Sequence, residues 1–447
     1  MGSGIFAARV VAFLLQRTAA NKEVHRHLDI EKLHPSRYGI LEIREFPQCR
    51  TSAFGRKQKF VVASVTQQEA VDFATSCPVV AVISKTSHLF RKVTFAATMG
   101  TGILSLALAQ LPGALPGMAR LAEGLWLFNI ALFVLFAALY SARWVMFFDE
   151  AKQVFGHATV SMFFGTIPMG LATIINGFLS FGVSRWGAAA VAVAEALWWI
   201  DVAMALACGV LIPYLMFTRQ QHSIDQMTAV WLLPVVAAEV AAASAGLLVP
   251  HLQDGGARFT VLITGYVLWA YSVPVALSIL AILLLRMALH KLPHESMAAS
   301  SWLALGPVGT GALGMLVLGA AAPATLAPFG LAEVGHVANG MGVVSGLLLW
   351  GLGLWWMMLA TLITLRYFRA AVPFNLGWWG YTFPLGVFAV TTLRLAKVLD
   401  SLFFEVFGSA LVVVLASLWL VVAWRTALGA YRGNLFVSPC IASMNRP

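Results

Sequence analysis

Ten times between residues 93 and 424 the chain runs through an apolar stretch of bilayer length: 93–111, 122–147, 160–181, 188–217, 227–248, 260–287, 301–320, 333–365, 377–397 and 402–424. A helix needs around 20 apolar residues to cross a hydrocarbon core of about 30 Å. The ten runs therefore predict an all-α integral membrane protein, with the longer spans tilted or extended past the membrane. Composition agrees: 60% of the residues are hydrophobic and 11% charged, whereas soluble domains carry about 25% charged residues.

Charge gives orientation. Residues 1–92 hold 14 of the 29 Lys and Arg and 7 of the 19 Asp and Glu. Lys and Arg are retained on the cytoplasmic side. With the N-terminus inside, Arg143, Lys152, Arg219, Arg286, Lys291, Arg366, Arg369, Arg425, Arg432 and Arg446 fall on that side. Only Arg120, Arg185, Arg258, Arg394 and Lys397 fall opposite. Both termini are expected inside; the basic balance reports orientation and says little about nucleic acid, and the expected partners are the lipid bilayer and a small anion, with no nucleic acid. Residues 1–92 read as a loosely ordered cytoplasmic extension with no convincing signal peptide, a regulatory module being the other reading. The transmembrane domain spans 93–430, and 431–447 form a cytoplasmic C-terminal tail. The four cysteines (Cys49, Cys77, Cys208, Cys440) lack metal spacing and read as inert thiols.

The first, third, fifth, seventh and ninth spans each carry a small-residue or proline break: ATMGTGILS (97–105), FGTIPMGLA (164–172), LLPVVAAEVA (232–241), ALGPVGTGALG (304–314) and YTFPLGVFA (381–389). Gly100 to Gly165 is 65 residues, Pro168 to Pro234 is 66, Pro234 to Pro307 is 73 and Pro307 to Pro384 is 77. That period is one helical hairpin, so five hairpins are expected, the odd helix of each broken and the even ones uninterrupted. Unpaired backbone groups cost several kcal/mol each in lipid, so broken helices must face protein or a watery cavity. The expected architecture is an inner ring of five broken helices around a pore, with five intact helices outside. Gly100, Gly102, Gly165, Pro168, Pro234, Pro307 and Pro384 would line it.

GTGALG (309–314) matches the dinucleotide fingerprint but lies inside an apolar span without a preceding strand, so it is rejected. Gly342 and Gly346 form a GxxxG pair suited to close helix packing. Glu239, at bilayer depth in the fifth span, is a candidate for proton coupling or pore charge, against a buried structural carboxyl. Asp201, His336 and Asn339 read as helix-to-helix bonding groups. Arg394 and Lys397 lie near the outer end of the ninth span, either snorkelling or forming an anion-attracting mouth. With no nucleophile elbow, zinc motif, P-loop or other catalytic constellation, the chain is not expected to be an enzyme or to hold a cofactor or metal.

GWWGYTFPLG (377–386), together with MGTG (99–102) and FGTIPMG (164–170), resembles the tellurite-resistance/dicarboxylate transporter family. That family includes tellurite-resistance proteins, malate permeases, fungal sulfite efflux pumps and plant slow anion channels. FNLGWWGYTFPLG is most similar to the sulfite-pump branch. The resemblance implies ten transmembrane helices as five hairpins with quasi-fivefold symmetry around a central pore, often assembled as a homotrimer in the plasma (inner) membrane. It implies a small inorganic anion, sulfite first, or a C4-dicarboxylate such as malate as substrate, and a pore gate at Phe383. A membrane sensor or scaffold using the N-terminal extension is the rival from another class.

Overall fold

The computed structural model describes residues 95–113, 117–369, 372 and 374–432, all within the compact unit that begins at Phe90. The expected extension 1–92 and all but the first two residues of the expected tail 431–447 lie outside the described residues, as do Cys49, Cys77 and Cys440. Among the described residues the regular secondary structure is helical, with no strand. Its ten main helices are α1 (Ala96–Leu108), α2 (Met118–Met146), α3 (Thr166–Gly177), α4 (Ala188–Thr218), α5 (Leu233–Leu248), α6 (Gly255–His290), α7 (Leu305–Leu326), α8 (Ala332–Phe368), α9 (Thr382–Leu399) and α10 (Leu402–Tyr431). Nine helical runs among the described residues are long and apolar enough to cross a membrane, and the protein is multi-pass. α1 is a shorter apolar helix of 13 residues, about 20 Å of rise.

The helices divide by surroundings. In the runs holding α3, α5, α7 and α9, between 72 and 94% of the most apolar stretch is buried in protein. For α2, α4, α6, α8 and α10 the share is 11 to 33%, and every residue of α1 is buried. Local chemistry explains the split. Odd helices are rich in Gly, Ala, Ser and Thr, which let backbones approach closely. Even helices turn Leu, Val, Phe and Trp outward, such as Leu348, Leu362 and Trp424.

Each odd helix packs against its neighbour: α1 on α3, α3 on α5, α5 on α7, α7 on α9, and α9 back on α1. Each even helix packs on the odd helix before it and the odd helix after it, α10 reaching α1. A repeated tryptophan marks the second contact. Trp126 of α2 donates its indole N–H to the Ile174 carbonyl of α3 (3.1 Å), Trp198 of α4 to the Ala241 carbonyl of α5 (2.9 Å), and Trp269 of α6 to the Gly311 carbonyl of α7 (2.9 Å). Trp350 of α8 donates to Thr392 Oγ1 of α9 (2.9 Å), and Trp419 of α10 to Thr101 Oγ1 of α1 (3.0 Å). The indole carries a large apolar body and one donor, which suits it to clasping helices in an apolar medium. Sequence reading misses this device, although its signal is present as tryptophans recurring at the hairpin period.

Three expectations change. The prolines do not interrupt helices midway. Pro168, Pro234, Pro307 and Pro384 are the third, second, third and third residues of α3, α5, α7 and α9. The first four N–H groups of a helix have no partner within it, so proline costs little there. Ahead of α3, α5 and α9 run 3₁₀ turns, Ser161–Gly165, Ala229–Leu232 and Leu376–Tyr381, so the break is a change of helix type at one end of the span. Nor are the even helices free of proline, for Pro213 sits inside α4 and Pro274 inside α6. His336 and Asn339 are exposed on α8 rather than packed. The GxxxG pair does pack tightly: a side chain at Gly342 would meet the Met315 carbonyl, and one at Gly346 would meet Leu316.

Candidate functional site

The faces of α9 can be assigned from its contacts. Thr382 and Gly386 lie against Gly100 and Ile103 of α1, Thr391 Oγ1 donates to the Gly309 carbonyl of α7 (2.9 Å), and Phe388 stacks on Trp350 of α8 at 5.7 Å. At 3.6 residues per turn, these contacts leave one stripe turned toward the middle of the odd-helix ring: Phe383, Val387, Val390 and Arg394. The same construction on α1 uses Thr98 and Gly102 against α3, and Gly100 and Ile103 against α9. It leaves Met99 and Leu106. On α7, Gly309 faces α9 while Gly311 and Gly314 face Val273 and Trp269 of α6, which leaves Thr310 and Leu313.

Phe383 is 3% exposed and Met99 2%, so the ring is filled at their level. Among the described residues Phe383 has no aromatic partner, whereas its neighbours are engaged elsewhere: Phe388 with Trp350, and Trp378 with Phe368, Phe374 and Tyr381. Trp379, which also lacks a ring partner, donates its indole N–H to Thr426 Oγ1 of α10 (3.2 Å), so Phe383 is the aromatic of the motif with neither kind of partner among the described residues.

The predicted glycines act by proximity. A side chain at Gly100 would meet Thr382 and Trp379, one at Gly102 would meet Thr173 and Asn129, and one at Gly165 would meet the Leu233 carbonyl. Gly306 of α7 lies opposite Pro384 of α9, so the starts of α7 and α9 adjoin.

The charges separate. Arg394 is half-buried on the Phe383 stripe, and its Nε has no hydrogen-bond partner. Lys397 is exposed in the last turn of α9. Glu239 is fully buried on α5 and directed toward α6: its Oε2 accepts from Ser272 Oγ (3.3 Å), and its Oε1 has no partner. Ser272 also donates to the Val235 carbonyl (2.8 Å). Asp201 is fully buried on α4, but neither of its oxygens finds a partner, so the expected helix-to-helix bond is not made. Sequence reading singles out neither Asn176 of α3 nor Thr310 of α7. Both are buried, and each leaves its side-chain oxygen unbonded. The available signal was a lone polar side chain one or two turns past a helix break. No cluster of metal-ligating residues occurs among the described residues.

Comparison with known proteins places this geometry. The SLAC1 family, described as voltage-dependent anion channel, matches residues 90–427. The chain is 36% identical over 344 residues to the sulfite efflux pump of Arthroderma benhamiae, covering 76% of this chain and 91% of that relative. It is 28% identical over 344 residues to an uncharacterized transporter of Methanocaldococcus jannaschii (76% and 94%) and 25% identical over 367 residues to the malic acid transport protein of Schizosaccharomyces pombe (80% and 82%).

Proposed function

The chain belongs to the SLAC1, voltage-dependent anion channel family, and from that premise we propose that it exports sulfite across the plasma (inner) membrane through a conduit inside the odd-helix ring. The observation that carries this reading is ring closure, α9 packing on α1 with an apolar stripe turned inward from both. The reading includes ten transmembrane helices in five hairpins with quasi-fivefold symmetry, and the five tryptophan clasps support it. Phe383 is the gate and Arg394, with Lys397 beyond it, the mouth. An unpaired guanidinium on the inward stripe raises the local anion concentration, while the walls offer no strong site, so ions leave as readily as they enter.

Sulfite stands first because relatives bearing that name share 36% identity over most of their length. Malate or another C4-dicarboxylate is the second reading, favoured by the malic acid relative at 25%. Residues 93–430 form the transporting domain with both termini cytoplasmic. Each protomer closes its own ring, so a homotrimer would hold three conduits. Glu239 would couple flow to protons only if its carboxyl left Ser272 for the axis.

Reconstitution decides the matter. Purified protein in liposomes loaded with sulfite, malate or chloride should release sulfite fastest, and Arg394→Gln should slow release several-fold. Release of no anion above protein-free liposomes overturns the reading. Malate faster than sulfite favours the second. Glu239→Gln should leave flux under a pH gradient unchanged.

A further inference from the structure

On the side proposed as cytoplasmic, basic residues are not evenly offset by acidic ones. The α2–α3 segment holds Asp149 and Glu150 beside Arg143 and Lys152. The α4–α5 loop holds Asp225 beside Arg219, and the α6–α7 segment Glu295 beside Arg286 and Lys291. The ends of α8 and α10 differ. They carry Arg366, Arg369, Arg425 and Arg432, and the sequence has no Asp or Glu between Glu333 and Asp400 or after Glu405. Those three carboxylates belong to the opposite end, in the first turn of α8, the C-cap of α9 and the first turn of α10. Four cations thus gather on one side with no counter-charge from their own helices.

Position adds to charge. The apolar runs 333–365 and 402–424 stop immediately before Arg366 and Arg425, which sets both at the level of lipid headgroups. Trp378, in the 3₁₀ turn ahead of α9, joins the two helix ends. Phe368 of α8 stacks on its indole at 5.9 Å, and the Arg425 guanidinium of α10 lies 5.7 Å from the same ring and 5.9 Å from that of Phe374. Arg369 follows Phe368 in the chain, and Arg432 lies about two turns beyond Arg425 on the same side of α10. All four arginines are exposed. The ion pairs among the described residues are Lys152 with Asp149 and Arg185 with Glu123, so there the four have no carboxylate partner. Arg286 makes the contrast. It is buried and donates to the carbonyls of Asp225 (3.1 Å) and Lys291 (2.8 Å), as an arginine used to hold loops does.

We propose that this corner binds the headgroup of an anionic phospholipid in the cytoplasmic leaflet, with Arg425 on its Phe374–Trp378 shelf as the anchor. A guanidinium laid against aromatic faces keeps its N–H edge free, and that edge matches phosphate oxygens two at a time. Arg366, Arg369 and Arg432 supply the surrounding positive field, the kind of basic cluster at a helix end that anionic lipids recognise. A lipid is a better occupant than a free ion because the cations stand where lipid-facing helix surface ends. Leu365 and Trp424, the residues just before Arg366 and Arg425, are 54 and 70% exposed and offer apolar surface to the acyl chains.

The site rests on the proposed orientation and not on the identity of the transported ion. Purified protein in phosphatidylcholine nanodiscs, with and without phosphatidylglycerol, tests it through the melting temperature and through lipid retained in native mass spectrometry. Phosphatidylglycerol should be retained in preference and should raise the melting temperature of the wild type. Arg425→Gln should weaken retention about fivefold, the share of one cation at an anionic surface. Arg425→Lys should recover only part, because an ammonium lacks the fork. If Arg425→Gln does not fold, Arg369→Gln carries the same fivefold expectation. Arg219, exposed on the same side near Asp225, is the control, and Arg219→Gln should retain lipid as the wild type does. Unchanged retention in Arg425→Gln and Arg369→Gln overturns the site. So does equal weakening in Arg219→Gln, or equal stabilisation by inorganic phosphate without phosphatidylglycerol. Sulfite flux measured in phosphatidylcholine liposomes keeps the two readings apart: flux without a lipid preference overturns the site and leaves the conduit standing, and a lipid preference without flux does the reverse.

Discussion

At the residue scale, Phe383 combines burial, an inward position and the lack of an aromatic partner. Phe383→Ala should therefore raise basal anion leak from liposomes several-fold while leaving the melting temperature in detergent little changed; equal leak would remove its gating role. Gly165 should behave oppositely. A methyl there would meet backbone, the Leu233 carbonyl and Pro234 nitrogen, which cannot swing aside. Gly165→Ala should cost about 1–3 kcal/mol by overpacking, read as a lower melting temperature. On the α4–α5 loop, His222 sits edge-on to Trp231 at 5.1 Å, and burial pulls its imidazole below the usual range. The folded state thus binds a proton less readily than the unfolded chain. Its contribution is complete above about pH 6.5 and fades as pH falls through that value. His222→Gln should flatten that part of the stability profile, measured by melting at pH 5.5 and 7.5. Much at this scale was legible in the sequence, because a glycine or a charge inside an apolar run has few uses. Orientation was not. That Glu239 turns to Ser272 and that Thr310 leaves its own helix unbonded depend on which side of each helix meets which neighbour.

At the scale of elements, the expectation of kinked helices gives way to helices that begin at proline. This has a measurable consequence. Pro307→Ala should change stability by less than 1 kcal/mol, since the N–H it restores lies in the unpaired first turn. Ala312→Pro, at the eighth residue of the same helix, should cost about 3 kcal/mol or more. Comparable losses would mean that α7 does not start where the structure puts it. The tryptophan clasps offer a second check: Trp269→Phe keeps the ring and removes the bond to the Gly311 carbonyl, for a cost of about 1 kcal/mol in denaturant titration. The alternation of buried odd helices with outward-facing even ones could be read from the spacing of breaks, because only buried helices tolerate them. The start of each α-helix could not, since a proline marks a discontinuity without saying on which side of it the α-helix lies.

For the whole molecule, the conduit reading confines transport to the unit beginning at Phe90. Deleting residues 1–89 should leave sulfite flux per protein unchanged, whereas loss of flux would favour the sensor or scaffold reading for that segment. The closing contact of the ring carries a further consequence, for synthesis. Trp419 bonds Thr101 across 318 residues of sequence, and α1 has no lipid-facing surface of its own. α1 must therefore be sheltered by something else until the last hairpin arrives. Any nascent chain cut short before α9 holds an unsealed barrel stave, a substrate for quality-control proteolysis rather than a smaller working transporter.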